Sequence, residues 1–293
     1  MAIAVTHYSD PGCPWAYSVS PALAVLRWRY GDQLDWRLVT VGLTERPEQY
    51  LERGYTPARS ARTHMLFRRY GMPFATEPRR RVAATARACR AIVATRLDHP
   101  GHEHEALRAL QFGWFTSAAV MDEDEAIVGA LRTRAPGIDA AAIASRIDDA
   151  DVTAAYEADR AEARSAAGSP TELQGKAAMT DGPVRYTAPS LVFECDGRRL
   201  EAGGFQTIEA YDVLIANLDP TLDRAAPPDD PAELLGLIPG GLTTQEVAAL
   251  MVRANEPPDR EAAESHLIDL VAEGRATRTA LGDDALWAPA APA

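Results

Sequence analysis

Sheet-forming sequence occurs at two widely separated places in this chain, and that separation limits the folds open to it. Ile3 to Tyr8 alternates, is rich in β-formers and ends in the turn residues Ser9-Asp10-Pro11-Gly12. Leu34 to Leu43 is a second strand-like run. Between them, Pro14 to Arg29 carries Tyr17, Leu23, Val25, Leu26 and Trp28 at near-helical spacing. Pro14 suits the first helical position, where its missing N–H costs nothing, and Pro21 should kink or restart the helix. The start therefore reads strand, helix, strand. From Glu45 to Arg164 the pattern turns helical, punctuated by Gly71, Pro73, Pro100, Gly101, Pro136 and Gly137. Sheet character returns at Ser190 to Cys195 and Arg198 to Ala202, which flank the hairpin signal Asp196-Gly197, and a helix from Thr207 to Leu218 follows. The fold class is α/β, with a large helical block inserted into the sheet-forming sequence.

Asp219 to Pro231 is rich in proline and charge, which places a linker and a domain boundary there. The expected organisation is a first half of the sheet domain at 1–44, a helical insertion at 45–180, the second half at 181–220, a linker at 221–240 and a small domain at 241–293. In the last, Leu242 to Pro289 resembles a winged helix-turn-helix. It reads as a helix from Thr244 to Arg253, a second from Arg260 to Glu273, and two short strands around Gly282-Asp283, with Thr244 and Asp259 as N-caps. The second helix carries more acid than base, so this α+β unit is expected to contact protein or to self-associate into a homo-oligomer rather than to read DNA.

Charge agrees with that expectation: a net charge of −12 disfavours binding to phosphate backbones, and no nucleic acid partner is expected. A hydrophobic fraction of 46% with 25% charged residues is that of an ordinary globular chain. The N-terminus lacks a basic segment followed by a long apolar one, and no stretch approaches the roughly 18 apolar residues of a membrane span, so no membrane partner is expected. Cys13, Cys89 and Cys195 are too few for a disulfide framework, which suits a reducing, cytoplasmic setting.

Cys13 stands directly before Pro14 and hence at the start of the first helix. Unpaired N–H groups and the macrodipole there favour negative charge, and thiolate is the reactive form of cysteine. A lowered thiol pKa and a nucleophilic role are the expectation.

Two motifs add to this: Asp10-Pro11-Gly12-Cys13-Pro14-Trp15-Ala16-Tyr17, and Thr187-Ala188-Pro189-Ser190-Leu191-Val192-Phe193 followed by Gly203-Gly204-Phe205-Gln206. In this order and separation the chain resembles the DsbA-like, FrnE-like branch of the thioredoxin superfamily over residues 1 to 220. The resemblance implies a thioredoxin fold with a helical insertion capping the site. It implies Cys13 as the attacking thiol and Pro189 as a cis-proline beside it. Pro14, Trp15, Ala16, Thr187 and Ala188 would shape access and offer backbone bonds to a substrate, and no metal is expected.

The chain departs from the family pattern at residue 16, where the resolving cysteine of the dithiol motif would stand and alanine is found. The intramolecular release of a mixed disulfide is therefore lost at that position. Cys195 lies along a strand roughly 20 Å from Pro189, too far to substitute, and Cys89 reads as a packed helix thiol. Three readings follow. Cys13 can serve as a monothiol in a thiol-disulfide oxidoreductase acting on a disulfide-containing protein or small thiol, with a low-molecular-weight thiol, glutathione or mycothiol, resolving the adduct. The second reading is a glutathione-dependent isomerase or kappa-class transferase-like enzyme, and the third a redox-inactive binding or regulatory module. Among other candidates, Tyr17 could wall a groove, Asp10 should cap the loop, and His7 or His64 could act as a base. His99, His102 and His104 have metal-ligand types in what reads as a solvated connection, and Arg79 to Arg81 could attract an anionic thiol or open a helix.

Overall fold

The computed structural model describes residues 2–180, 182–253 and 256–291. Strand β1 (Ile3–Ser9) leads through a turn into α1 (Pro14–Ser18) and α2 (Ser20–Tyr30), and β2 (Leu34–Thr40) follows. The helix break falls at Val19, just ahead of Pro21, whose ring cannot sit inside a continuous helix. β2 stops at Thr40, short of the expected Leu43. Val41 still donates its N–H to Ser9 O, but Leu43 N–H turns to the Asp10 carboxylate, so the ladder ends.

The insertion consists of α3 (Pro47–Glu52), α4 (Pro57–Phe67), α5 (Ala86–Asp98), α6 (Glu103–Phe115), α7 (Asp124–Arg134), α8 (Ala140–Arg146), α9 (Ala150–Ala163) and α10 (Pro170–Leu173). Most blocks read as helical from the pattern are helical. The connection expected at Gly71 and Pro73 is an irregular strap over residues 71–85, between α4 and α5, and it takes in Arg80 to Thr85, which the pattern reads as the start of the next helix. Asp149, as N-cap of α9, divides the last block into two helices. Apolar faces of α5 to α9 pack into one core with Tyr17, Phe74 and Phe115.

The chain then returns as β3 (Ser190–Cys195), β4 (Arg198–Gly203) and α11 (Ile208–Leu218). The hairpin turn needs left-handed backbone at both central residues, and Asp196 (φ 50°) and Gly197 (φ 73°) supply it. The sheet order is β2-β1-β3-β4, with β1 parallel to β2 and antiparallel to β3. This is the expected α/β sheet, a thioredoxin fold completed across a large helical insertion. β1 is central, so the loop leaving its C-terminal end carries Cys13 over the sheet edge, where ligand sites of open α/β sheets form.

The tail comprises β5 (Leu242–Thr243), α12 (Thr244–Leu250), α13 (Arg260–Ala272), β6 (Ala276–Leu281) and β7 (Asp284–Pro289), with sheet order β5-β7-β6. Thr243, one residue before the expected cap, closes α12 in a reciprocal capping box with Glu246, while Asp259 caps α13 as expected. The expected helix to Arg253 ends at Leu250, and residues 254 and 255 lie outside the described set. This unit packs on α2 through Ala24 and Val25. Buried Glu246 accepts from Arg108 on α6 and Ser20 on α2, so one carboxylate ties tail, insertion and sheet domain together. Asp283 accepts from the Phe74 N–H at 2.7 Å, which holds the strap from the tail side.

Candidate active site

Cys13 is the N-cap residue of α1, with extended backbone (φ −90°, ψ 114°) and Pro14 in the first turn. Asp10 builds the loop before it. Its Oδ1 accepts from Gly12 N–H at 2.9 Å, and its Oδ2 accepts from Leu43 N–H at 2.9 Å and the Thr85 hydroxyl at 3.0 Å. The Cys89 thiol lies 3.6 Å from the same oxygen. Asp10 thus caps the loop, as expected, and also pins it to α5's N-terminus. Gly12 is required by close approach: a Cβ there would lie 2.6 Å from Thr85 Cγ2 and 2.9 Å from the Trp114 ring.

The Ala188–Pro189 peptide is cis. Cys13 Sγ donates to Ala188 O at 2.9 Å, so the two motifs, 175 residues apart, meet at the sulfur. Burial of the thiol reverses the expected lowering of its pKa. Desolvation pushes Cys13 up to about 12 and Asp10 adds to the rise, while N–H bonds from Ala16 and Trp15 and the charge of Arg185 pull the other way. A five-residue helix provides little macrodipole to offset the loss of solvent. The resting form is the thiol.

Cys13, Pro14 and Trp15 line a cleft of about 440 Å³ against α3, α4, the strap and the end of α6. Trp15 packs edge-on to Phe67 (4.8 Å) and beside Tyr70 and Phe205, forming one wall. Tyr17 instead points into the core, stacked on Phe115 at 4.8 Å, and is not a wall residue. Ala16 is 2% exposed and faces a different cavity, so its expected contact with substrate in this cleft is not realised. Thr187, Ala188 and Pro189 do not line the cleft either: Thr187 bonds to Lys176 O, and Ala188 reaches the site only through its carbonyl on the thiol.

Five arginines reach the cleft: Arg53, Arg59, Arg79, Arg81 and Arg185, and none of its described lining residues is acidic. Arg81 is already paired with Asp122 and Glu123. Arg59 donates to the carbonyls of Arg53 and Gly54. Arg79 differs. Its side chain is buried to 8% exposure, Nε donates to Ala119 O, the guanidinium lies 5.7 Å from the Trp114 ring centre, and Nη2 has no partner. Burial lowers it to about 10, leaving it a cation at neutral pH. Arg79 to Arg81 sit on the strap rather than at a helix start, and Arg80 turns outward to Glu123.

His64 also lines the cleft; Nδ1 is 2.8 Å from Ala75 O, an acceptor, so Nδ1 carries the proton. Burial lowers His64 to about 4, so it is neutral. His7 lies away from the thiol, on the sheet face that looks onto the second cavity, together with His104. His102 is held by Glu105, and among the described residues no group of three or more His, Cys, Asp or Glu is placed to hold a metal ion. Cys195 packs at the hairpin end of β3, opposite in register to Arg198 and at the far end of that strand from Pro189. No helix among the described residues is long and apolar enough to cross a membrane. The sequence reading missed Arg53, Arg59 and Arg185 because no local motif marks them; they converge from separate elements.

A cysteine capping a helix start against a cis-proline loop is the arrangement that the DsbA-like resemblance implies for the thiol site. Residues 4–186 match the family model described as DSBA-like thioredoxin domain, and the chain belongs to that family. Among solved structures it is similar to a candidate protein disulfide isomerase from Nitrosomonas europaea, at 17% identity and TM-score 0.56 over 74% of this chain and 97% of that one. It is likewise similar to the cytosolic disulfide reductase DsbM from Pseudomonas aeruginosa, at 18% identity and TM-score 0.51 over 73% and 98%. A protein described as a DsbA oxidoreductase from Streptomyces coelicolor gives 17% identity and TM-score 0.53 over 77% and 100%. No curated protein matches.

Proposed function

We propose that this protein is a monothiol thiol-disulfide oxidoreductase whose small-molecule partner is an anionic thiol such as glutathione. The observation that carries the reading is the Cys13 thiol at the wall of a cleft with five guanidinium groups and no acid among its described lining residues, within a chain of net charge −12. Carboxylates bind guanidinium through charge-assisted hydrogen bonds, and buried Arg79 has an Nη2 to offer. A carboxylate-bearing thiol therefore suits the cleft better than the uncharged mycothiol.

The chemistry balances without a second protein thiol. Cys13 loses its proton, and the thiolate attacks the glutathionyl sulfur of a mixed disulfide R–S–S–G. The S–S bond breaks, R–S⁻ leaves and takes up a proton, and Cys13–S–S–G forms. Free glutathione thiolate then attacks the glutathionyl sulfur of that adduct, giving oxidised glutathione and returning Cys13 to the thiol. Ala16 is compatible with this route because resolution is intermolecular. With a resting thiol raised to about 12, ionisation must accompany substrate entry, and the cations of the cleft favour the charged form.

The test is intact mass spectrometry after incubation with oxidised glutathione. One glutathionyl adduct, mapped to Cys13 and absent in Cys13→Ser, is expected, as is reduction of a glutathionylated peptide by glutathione that needs Cys13. A Cys13 that takes no adduct would favour the second reading, a redox-inactive binding module, to which the high thiol pKa and Ala16 both lend weight.

A further inference from the structure

We propose that the cavity lined by Ala16, on the side of α1 away from the thiol cleft, is a second binding site that takes a small organic acid. Its volume is about 380 Å³, within the range of small-molecule pockets. The walls come from β1, β2, α1, α2, the start of α6 and the loop ahead of β5, so the site belongs to the junction between sheet domain, insertion and tail.

Five buried polar atoms at this cavity have no hydrogen-bond partner: both ring nitrogens of His7, Nε2 of His104, Nε1 of Trp36 and Nε of Arg108. His7 is 2% exposed and sits on the central strand. Buried polar groups are nearly always satisfied, and five in one concavity signal a partner that supplies both donors and acceptors. The rings are ordered relative to one another. His7 and His104 stack with centroids 5.7 Å apart, and Trp36 meets both edge-on at 6.5 and 6.2 Å.

The charge in the site is Arg27. Its guanidinium lies 4.7 Å from the Trp36 ring centre and has no hydrogen-bond or ion-pair partner among the described residues. Burial, and after it Arg108, lowers Arg27 to about 10, so it stays cationic at neutral pH. Arg108 is neutralised by Glu246. Two rim carboxylates are already engaged, Glu103 with Gly101 N–H at 3.0 Å and Glu105 with His102 at 2.9 Å. Burial holds His7 near 3 and His104 well below its ordinary value, so both imidazoles are neutral, each with one donor and one acceptor. A carboxylate can therefore pair with Arg27 and accept from Trp36 Nε1–H. A hydroxyl or carbonyl beside it can meet the imidazoles, and an apolar body can lie against Leu23, Leu107 and Ile238. A half-buried cation with no counter-ion in contact is partly desolvated at a cost, which a ligand that supplies the counter-charge returns.

The probe is salicylate, with benzamide as an uncharged control, titrated calorimetrically into the full chain. One saturable event is expected with salicylate and none with benzamide. Affinity should drop at least tenfold in Arg27→Gln and in His7→Leu and stay unchanged in Arg79→Gln, which alters only the thiol cleft. Arg27→Lys, which keeps the charge, should retain most of the binding. Arg27→Gln without ligand should melt no lower than wild type, since it removes an unpaired charge, and salicylate should raise the wild-type Tm but not that of Arg27→Gln. Absence of salicylate binding, binding indifferent to Arg27→Gln, or loss in Arg79→Gln alone would each overturn the proposal. None of these outcomes depends on thiol chemistry at Cys13.

Discussion

Two cavities flank the first helix, and the residues of the Cys13-Pro14-Trp15-Ala16 motif are divided between them. Cys13, Pro14 and Trp15 face the arginine-lined cleft, whereas Ala16 faces the cavity of His7, His104 and Arg27. Each holds a cation short of partners, Arg79 with a free Nη2 on one side and Arg27 unpaired among the described residues on the other. Only one side has a thiol. The contrast teaches that the alanine at position 16 is more than a missing cysteine, since its small side chain also leaves space on the opposite side of the helix.

The sharpest break of that division is Ala16→Cys. Positions three apart on a helix are neighbours, so a thiol there lies on the same turn as Cys13. The variant has four cysteines, and mild oxidation should take its titratable thiols, counted after denaturation, from four to two, since Cys89 and Cys195 are buried and separate. Wild type should lose none. If no bridge forms, the two positions are held too far apart by the cavities they face. Next in size is Arg79→Gln. A hydrogen bond to a charged group is worth roughly 1.5–3 kcal/mol, so kcat/KM with a glutathionyl disulfide should fall about 10- to 100-fold. With the uncharged 2-hydroxyethyl disulfide it should change little; an equal loss on both would show that Arg79 holds the strap in place and has no part in charge recognition.

Much of the thiol side could be read from local sequence and little of the other. Cys13 before a proline, and Ala188-Pro189 entering a strand, are local patterns, and the fold brings them to 2.9 Å as the family resemblance implies. The hairpin at Asp196-Gly197 was equally legible because a two-residue turn demands left-handed backbone. The thiol pKa departs from the helix-start expectation for a physical reason: helix-start position is a sequence property, but desolvation depends on what the insertion lays over the site. The same holds for the second cavity. His7, Trp36, Arg27 and His104 belong to four different elements, and nothing in their neighbours marks them until the sheet and α6 close together.

Acid stability should sharpen the contrast further, because the far cavity contains neutral histidines. His7 titrates near 3 in the fold against 6.5 unfolded, lowered by burial and then by Arg27; His104 stacks beside it and Trp36 meets it edge-on. Below pH 6.5 the unfolded chain binds a proton that the folded one refuses, so this contribution is complete above pH 6.5 and is lost as pH falls towards 3. At roughly 1.4 kcal/mol per pH unit, moving from pH 6.5 to 5 should cost about 2 kcal/mol at this site. Urea unfolding at pH 7 and 5 should give a difference smaller by that amount in His7→Phe than in wild type. An unchanged difference would mean that His7 protonates in the fold, with the cavity admitting solvent or an anion.

The smallest expected effect concerns what holds the Cys13 proton. Burial is the first cause and the Asp10 charge a lesser one, opposed by N–H bonds from Ala16 and Trp15. Asp10→Asn removes the charge and keeps most of the shape. It also sets an amide against the donors of Leu43 and Gly12, at a cost of about 1–3 kcal/mol in stability. Alkylation of Cys13 by iodoacetamide at pH 9, compared under conditions where both proteins are folded, should become a few-fold faster, because the thiolate no longer forms beside a carboxylate. Should the rate stay constant, burial alone sets the resting thiol, and the cations of the cleft must come into play with the substrate. Should it rise by orders of magnitude, Asp10 is the main restraint, and the loop that pins α1 to α5 also governs when the sulfur ionises.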